Sequence, residues 1–276
     1  MSLEPSRVPS VIAETDELLV IDKPAGLIVH SDGRTEEPSV AEWILEKYPA
    51  LARVGEPWIS PQGESVALPG IVHRLDRTTS GILLIAKTPE AYAYVKGEFK
   101  ARRVEKTYRA CVYGHMEENV GRIVAEIMRS KEVPRRWYAR SCDENDNRAA
   151  ITNWSVLQRL TAEGGEAASY LELKPETGRT HQIRVHLASI GHPVLSDHLY
   201  APERPRLLNF TRLALHAYQI SLTLGGIKQT FTAPLPADFE AASLNTHDEA
   251  HPRFIRTTYA DTRATLDCAL PGAIIA

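Results

Sequence analysis

The chain has 276 residues, 43% of them hydrophobic, 24% charged and 7% aromatic, and Lys+Arg 32 against Asp+Glu 35 gives a net charge of −3. These fractions exclude a disordered, collagen-like or coiled-coil chain and leave enough apolar side chains for one large or two modest domains. No apolar run approaches the roughly 20 residues that span a bilayer, the opening MSLEPSRVPS lacks the regions of a secretory signal, and three scattered cysteines (Cys111, Cys142, Cys268) suggest neither disulfides nor a metal knuckle, which points to a reducing cytoplasm.

Residues 1–14 read as an N-terminal extension. Residues 17–22 form a short apolar run closed by Lys23-Pro24-Ala25-Gly26, which predicts a strand entering a turn. Ser39 is placed to cap a helix running to Tyr48, with Val40, Trp43, Ile44 and Tyr48 at helical spacing. Residues 53–70, with three prolines and three glycines, read as a loop. The unbroken apolar run at 81–86 predicts a central strand buried on both faces. A helix is expected over 89–102, and strands over 106–113 and 169–173. Residues 180–190 read as a helix stopped by Gly191 and Pro193. Its Ile183, Leu187 and Ile190 face the core, and Arg184, on a neighbouring face, can point into a cleft. Strands follow over 213–224 and 229–232, and residues 241–276 read as a peripheral extension of a main domain at 15–240. Strands and helices do not alternate regularly, so the class is α+β with a large, mainly antiparallel sheet flanked by helices.

Charge is segregated along the chain. Residues 1–70 carry five basic and twelve acidic side chains, and residues 96–140 carry twelve basic against six acidic. Tyr108, Tyr113, Trp137 and Tyr138 lie among the latter, and cations interleaved with aromatics suit a single-stranded nucleic acid. A solvated basic face is the plainer reading, and composition alone favours it.

Chemistry concentrates in two stretches. Gly70-Ile71-Val72-His73-Arg74-Leu75-Asp76-Arg77-Thr78-Thr79-Ser80-Gly81 holds a carboxylate on a loop just before the buried strand, where a rigid element can position it. Taken alone, Asp76 also reads as a turn cap paired with Arg74 or Arg77. Thr177-Gly178-Arg179-Thr180-His181-Gln182-Ile183-Arg184-Val185-His186 gathers polar groups around a helix start, a natural anion site. Lys106-Thr107-Tyr108 opens a strand inside the basic segment. His181 and His186 are five residues apart and fall on different helix faces, so no metal site is expected. His73-Arg74-Leu75-Asp76 is also similar to a kinase catalytic loop, but Gly81 stands where the asparagine should be, and no glycine-rich phosphate loop precedes it.

Taken in order, these motifs identify a resemblance to the pseudouridine synthases of the RluA family. The match includes Asp22 to Leu27, His73 to Gly81, Lys106-Thr107-Tyr108, Thr177 to His186, Gly191-His192-Pro193 with Asp197, Leu215-His216-Ala217 and Ala233-Pro234-Leu235-Pro236. The resemblance covers about residues 15–240. It implies a large mixed, mainly antiparallel curved sheet around a central active-site cleft, and isomerisation of uridine in ribosomal or transfer RNA. By position, Asp76 matches the aspartate that attacks the nucleoside. Tyr108 matches the tyrosine that stacks on the target base, Arg184 the arginine paired with the catalytic carboxylate, and Arg74 an arginine that fills the space of the flipped nucleotide. His73, Arg77, Lys106, Arg179 and His181, in the same motifs, are expected to contact substrate. The reaction involves no redox change or phosphoryl transfer, so no cofactor is required. The chain departs from the pattern at Ser196, where glycine often precedes the aspartate, and at Ser31, where proline is common. It begins too close to the first motif for the small N-terminal RNA-binding domain of many relatives, so residues 96–140 are expected to grip the RNA. The expected partner is RNA, without a membrane, and the expected state a monomer. A catalytically silent RNA-binding protein on the same fold is the alternative, and a hydrolytic nucleosidase using Asp76 is a further one.

Overall fold

The computed structural model describes residues 7–31, 37–59, 63 and 65–244. Helix α1 (Val40–Lys47) starts as the sequence indicates. The Ser39 hydroxyl accepts the Glu42 N–H at 3.2 Å, and the Glu42 carboxylate accepts the Ser39 N–H at 2.9 Å. This reciprocal cap satisfies two otherwise orphaned donors while the helix buries Val40, Ala41, Trp43 and Ile44. The strand expected at 17–22 is β2 (Leu18–Lys23). The apolar run at 81–86 lies in β5 (Ser80–Ala86), buried at every position. Between α1 and β5 the loop carries a short ribbon of β3 (Trp58–Ile59) and β4 (Ser65–Val66). Helix α2 (Pro89–Lys100) is capped by Thr88. Strands β6 (Glu105–Tyr113), β10 (Ala167–Pro175), β11 (Leu215–Leu224) and β12 (Ile227–Thr232) occupy the remaining expected positions.

Other elements are new. Strand β1 (Ser10–Glu14) lies within the expected N-terminal extension and pairs with β2. Strands β7 (Val120–Arg129), β8 (Trp137–Ser141) and β9 (Ala149–Thr161) fill the region between β6 and β10. The helix expected at 180–190 is shorter, α3 (Gln182–Ser189), because His181 takes a left-handed φ of 54° and so stands outside it. Helix α4 (Ala237–Leu244) crosses the start of the expected C-terminal extension, and residues 245–276 lie outside the described residues.

Ten strands form one sheet in the order β1-β2-β5-β11-β6-β10-β9-β7-β8, with β12 on β11. Among the described residues its pairings are antiparallel except β5 with β11. This is the α+β class with a mainly antiparallel sheet. Two apolar clusters cover it. One joins β2, β5, α1 and α2 through Leu19, Ile44, Leu84 and Val95. The other joins β6, β10, α3 and α4 through Cys111, Leu171, Leu187 and Phe239. Tyr108 on β6 packs against both, so the centre of the sheet is where the two halves meet. Among the described residues no helix is long and apolar enough to cross a membrane.

Candidate active site

The loop before β5 is held from inside. Leu75 is buried, the Thr79 N–H donates to the Asp76 carbonyl at 3.2 Å, and the Gly26 N–H donates to the Arg77 carbonyl at 2.8 Å. Lys23, fully buried at the end of β2, donates from Nζ to the carbonyls of Pro24 and Leu27 at 2.8 Å and of Arg77 at 3.2 Å. Three donors meet three acceptors, so the ammonium serves as a clamp between the two turns. Burial pushes the Lys23 pKa down to about 7, although the nearby Asp76 carboxylate raises it.

That shift gives stability a defined pH dependence. Above about 10.5 the lysine is neutral in both states, and below about 7 it is charged in both, with the full burial penalty. Between these limits the unfolded chain binds more protons, so this contribution rises with pH. Urea unfolding at pH 7 and pH 9.5 should show wild type gaining on the order of 3 kcal/mol relative to Lys23→Met. Parallel responses of the two proteins would show that folding does not depress the Lys23 pKa.

His73 is engaged in the fold. Its Nε2 accepts the Leu84 N–H at 2.9 Å, its ring stacks on Phe99 at 4.7 Å, and burial pushes its pKa down to about 3. The imidazole is neutral and completes the hydrogen bonding of β5. Arg77 pairs with Glu37, Nη2 to Oε1 at 2.6 Å, while Arg74 is exposed beside Asp76.

Asp76 remains reachable, with its side chain 24% exposed. Arg184 from α3, 6% exposed, directs Nη1 to Asp76 Oδ2 at 3.3 Å. Burial weighs against the guanidinium charge, but the Asp197 and Asp76 carboxylates outweigh it and hold its pKa above the ordinary value. His181 approaches the same Asp76 oxygen with Nε2 at 3.8 Å, and its Nδ1 lies 3.0 Å from the Tyr200 hydroxyl. The Asp76 carboxylate facing Nε2 can only accept, so the tautomer that suits both neighbours carries its N–H on Nε2 and takes the Tyr200 hydroxyl hydrogen at Nδ1, while that hydroxyl oxygen also accepts the Trp137 N–H at 3.1 Å. Burial lowers the His181 pKa more than Asp76 raises it, which keeps the ring neutral near pH 7. Its left-handed backbone is the kind of strain a surrounding network must enforce.

The loop at 177–181 is built around buried Gln182. Its Oε1 accepts from the Thr177 hydroxyl at 2.8 Å and the Arg179 N–H at 2.9 Å, and its Nε2 donates to the Ile151 carbonyl at 2.9 Å. Lys106 reaches the same loop from β6, Nζ to the Thr177 carbonyl at 3.3 Å, and burial lowers its pKa. Arg179 is exposed and lines a cavity of about 400 Å³ with Trp137, Arg148 and Thr180. Tyr108 is half-buried at the seam. Burial, and then the Asp76 charge, push its phenol pKa upward, so it is a protonated, flat wall.

The structure thus brings Asp76, Arg184, His181 and Tyr108 together, with Lys106 and Arg74 at the margin, and places Arg77, His73 and Arg179 outside that cluster. Sequence reasoning assigned no role to Lys23, Asp197, Tyr200 or Gln182. Asp197 was visible as a motif position, and Ser196 before it has φ 56°, the left-handed conformation that glycine adopts freely. Nine of the twelve cations of 96–140 fall into two groups. Lys96, Arg103, Arg109, Arg122 and Arg140 face carboxylates, whereas Arg129, Lys131, Arg135 and Arg136 crowd the exposed turn joining β7 to β8.

Residues 17–189 match the family described as RNA pseudouridylate synthase. A relative called an RNA pseudouridine synthase, from Synechocystis sp., is 36% identical over 83% of this chain, and the chain covers 66% of that protein. Ribosomal large subunit pseudouridine synthase D of Zymomonas mobilis is 35% identical over 86% of the chain and 73% of its own length. The chain therefore spans about two thirds of the length of such relatives. Among solved structures, human RNA pseudouridylate synthase domain containing 1 superposes with a TM-score of 0.65 at 26% identity, covering 86% of this chain and 87% of that one. Human RNA pseudouridylate synthase domain containing 4 has the same fold, with a TM-score of 0.63 at 24% identity over 84% and 90%.

Proposed function

The chain belongs to the RNA pseudouridylate synthase family, and from that premise we propose that it isomerises uridine in ribosomal or transfer RNA to pseudouridine, in the cytoplasm, with residues 15–240 as the catalytic domain. The observation that carries the reading is the reachable Asp76 carboxylate, paired on one oxygen with buried Arg184 beside the Tyr108 ring.

The chemistry follows from what these groups offer. The C1′–N1 bond of uridine breaks with its electron pair going to uracil, and the sugar gains oxocarbenium character. Asp76 serves as nucleophile or as electrostatic partner of that cation. Arg184 occupies only Oδ2 and keeps the carboxylate oriented. The detached uracil turns, C5 bonds to C1′, the C5 proton leaves to solvent and N1 gains one, so atoms and electrons balance without a co-reactant. Tyr108 as a neutral phenol supplies the flat face that retains the base. Stacked bases are unreachable, so the target uridine is flipped or unpaired, with exposed Arg74 positioned to fill its place. We assign contact with the bound RNA to His181 beside Asp76 and to Lys106 and Arg179 on the neighbouring 177–181 loop, while His73 and Arg77 are engaged within the fold.

The test is RNA labelled with tritium at C5 of uridine and lacking this modification. Release of tritium into water without free uracil is expected. Free uracil would indicate a nucleosidase, and tight RNA binding with no release a silent binding protein.

The turn between β7 and β8 supports a specific RNA track. Arg103 is held by Glu98, with Nε at 3.1 Å and 3.0 Å from its carboxylate oxygens, so the exposed cations at the hairpin tip are the better phosphate partners. Replacing Arg135 and Arg136 by Gln should weaken RNA binding and reduce the slope of log K against log salt by about 0.7 for each single-strand phosphate that is no longer neutralised. An unchanged slope would make this tip a solvated surface.

A further inference from the structure

Arg184 reaches Asp76 with one nitrogen only, and the turn after α3 decides which one. Asp197, 1% exposed, accepts from Arg184 Nε at 2.7 Å and Nη2 at 2.8 Å, a two-pronged pair that leaves Nη1 to face Asp76. Asp197 is itself fixed, since Oδ1 also accepts the backbone N–H groups of Leu199 at 3.0 Å and Tyr200 at 3.2 Å. The Tyr200 ring centre lies 5.0 Å from the guanidinium carbon and covers its face. The Tyr200 hydroxyl joins His181 Nδ1 to the Trp137 N–H of β8. Both groups that approach Asp76 Oδ2, one by charge and one by an N–H, are therefore set by the same short turn.

We propose that Asp197 and Tyr200 are positioning residues that fix the Arg184 guanidinium and the His181 imidazole against Asp76. Asp197 is too deeply buried to meet a nucleoside, so it acts through Arg184. Its carboxylate dictates the orientation because a free guanidinium would present its paired fork to Asp76 and engage both oxygens of the nucleophile. Tyr200 acts in parallel, with its ring limiting tilt of the guanidinium and its hydroxyl fixing the tautomer of His181. The kinetic part of this assignment rests on the isomerase reading; the geometric part does not.

The decisive variant is Asp197→Asn. Its side-chain oxygen can keep the backbone hydrogen bonds, but its amide N–H groups then oppose the donors of Arg184. The expected crystal structure shows Arg184 Nη1 withdrawn from Asp76. The expected kinetics of tritium release show kcat lowered by at least about tenfold with KM within about twofold, because RNA binding elsewhere is untouched. Arg184 still seated on Asp76, or an unchanged kcat in an active enzyme, overturns the proposal. If wild type releases no tritium, the isomerase reading fails, and the position of Arg184 in the variant still decides this one. If Asp197→Asn does not fold, Tyr200→Phe decides instead, since it keeps the ring and removes only the hydroxyl. His181 turned away from Asp76 with a lowered kcat supports the proposal, and an unmoved His181 with wild-type kcat overturns it.

Discussion

Asp76→Asn should abolish turnover, lowering tritium release by at least about 10³-fold, while the urea midpoint stays near that of wild type. The two halves of this expectation have separate physical origins. The amide is nearly isosteric but neutral and a poor nucleophile, so it neither attacks C1′ nor stabilises a cation there. Stability is spared because Asp76 is partly exposed and Arg184 keeps its buried partner Asp197, so no uncompensated charge is left behind. Activity within about tenfold of wild type in the folded variant would remove Asp76 from the chemistry. Loss of both activity and fold would mean that the carboxylate holds the loop together, in contrast to the bonding seen, where Lys23 and Gly26 hold that loop through the Arg77 carbonyl.

The second large effect belongs to Gly81, where the Asp76 loop enters β5. Its φ is 113°, outside the range open to side chains, and an added Cβ would lie 2.2 Å from the Ala217 carbonyl oxygen and 2.6 Å from the Ala217 nitrogen. Those atoms are backbone in β11, paired with Gly81 in the parallel register, so the neighbour cannot turn aside. Gly81→Ala should therefore destabilise by on the order of 4 kcal/mol or more, combining overpacking with backbone strain. Activity should fall with it, since Ser80 next door holds His216 at 2.9 Å and the loop geometry depends on this junction. Chemical denaturation reads the effect directly, and a midpoint equal to wild type would show that β5 and β11 separate here without penalty.

Most of the fold's centre was legible in the residues, for reasons that particular elements illustrate. The run at 81–86 is buried on both faces, so every side chain is apolar and periodicity is unnecessary to identify it. Ser39 and Glu42 announce α1 because their bonds are local in sequence. Strands β7 and β8 were obscured by the same charges that suggested an RNA surface. They lie toward the far end of the sheet, much of their side-chain surface is wet, and Arg and Glu interrupt any apolar alternation. Strand β7 takes its conformation from ladder bonds to β9, which are non-local, and β8 takes its own from β7 across the hairpin.

The candidate site divides along the same line. The sequence places Asp76, Tyr108 and Arg184 in motifs that resemble the family, and that resemblance, rather than composition or spacing, is what singles them out. The tertiary structure alone showed that Arg184 spends two nitrogens on Asp197 and one on Asp76, and that His73 is committed to the Leu84 N–H. It also showed that a buried Lys23 clamps two turns 54 residues apart. These are facts about which of several available partners a polar group meets. A sequence specifies the donors and acceptors, but the packing of β5, β6 and α3 around one seam sets their distances, and hydrogen bonds and buried charges are decided by distances of tenths of an ångström.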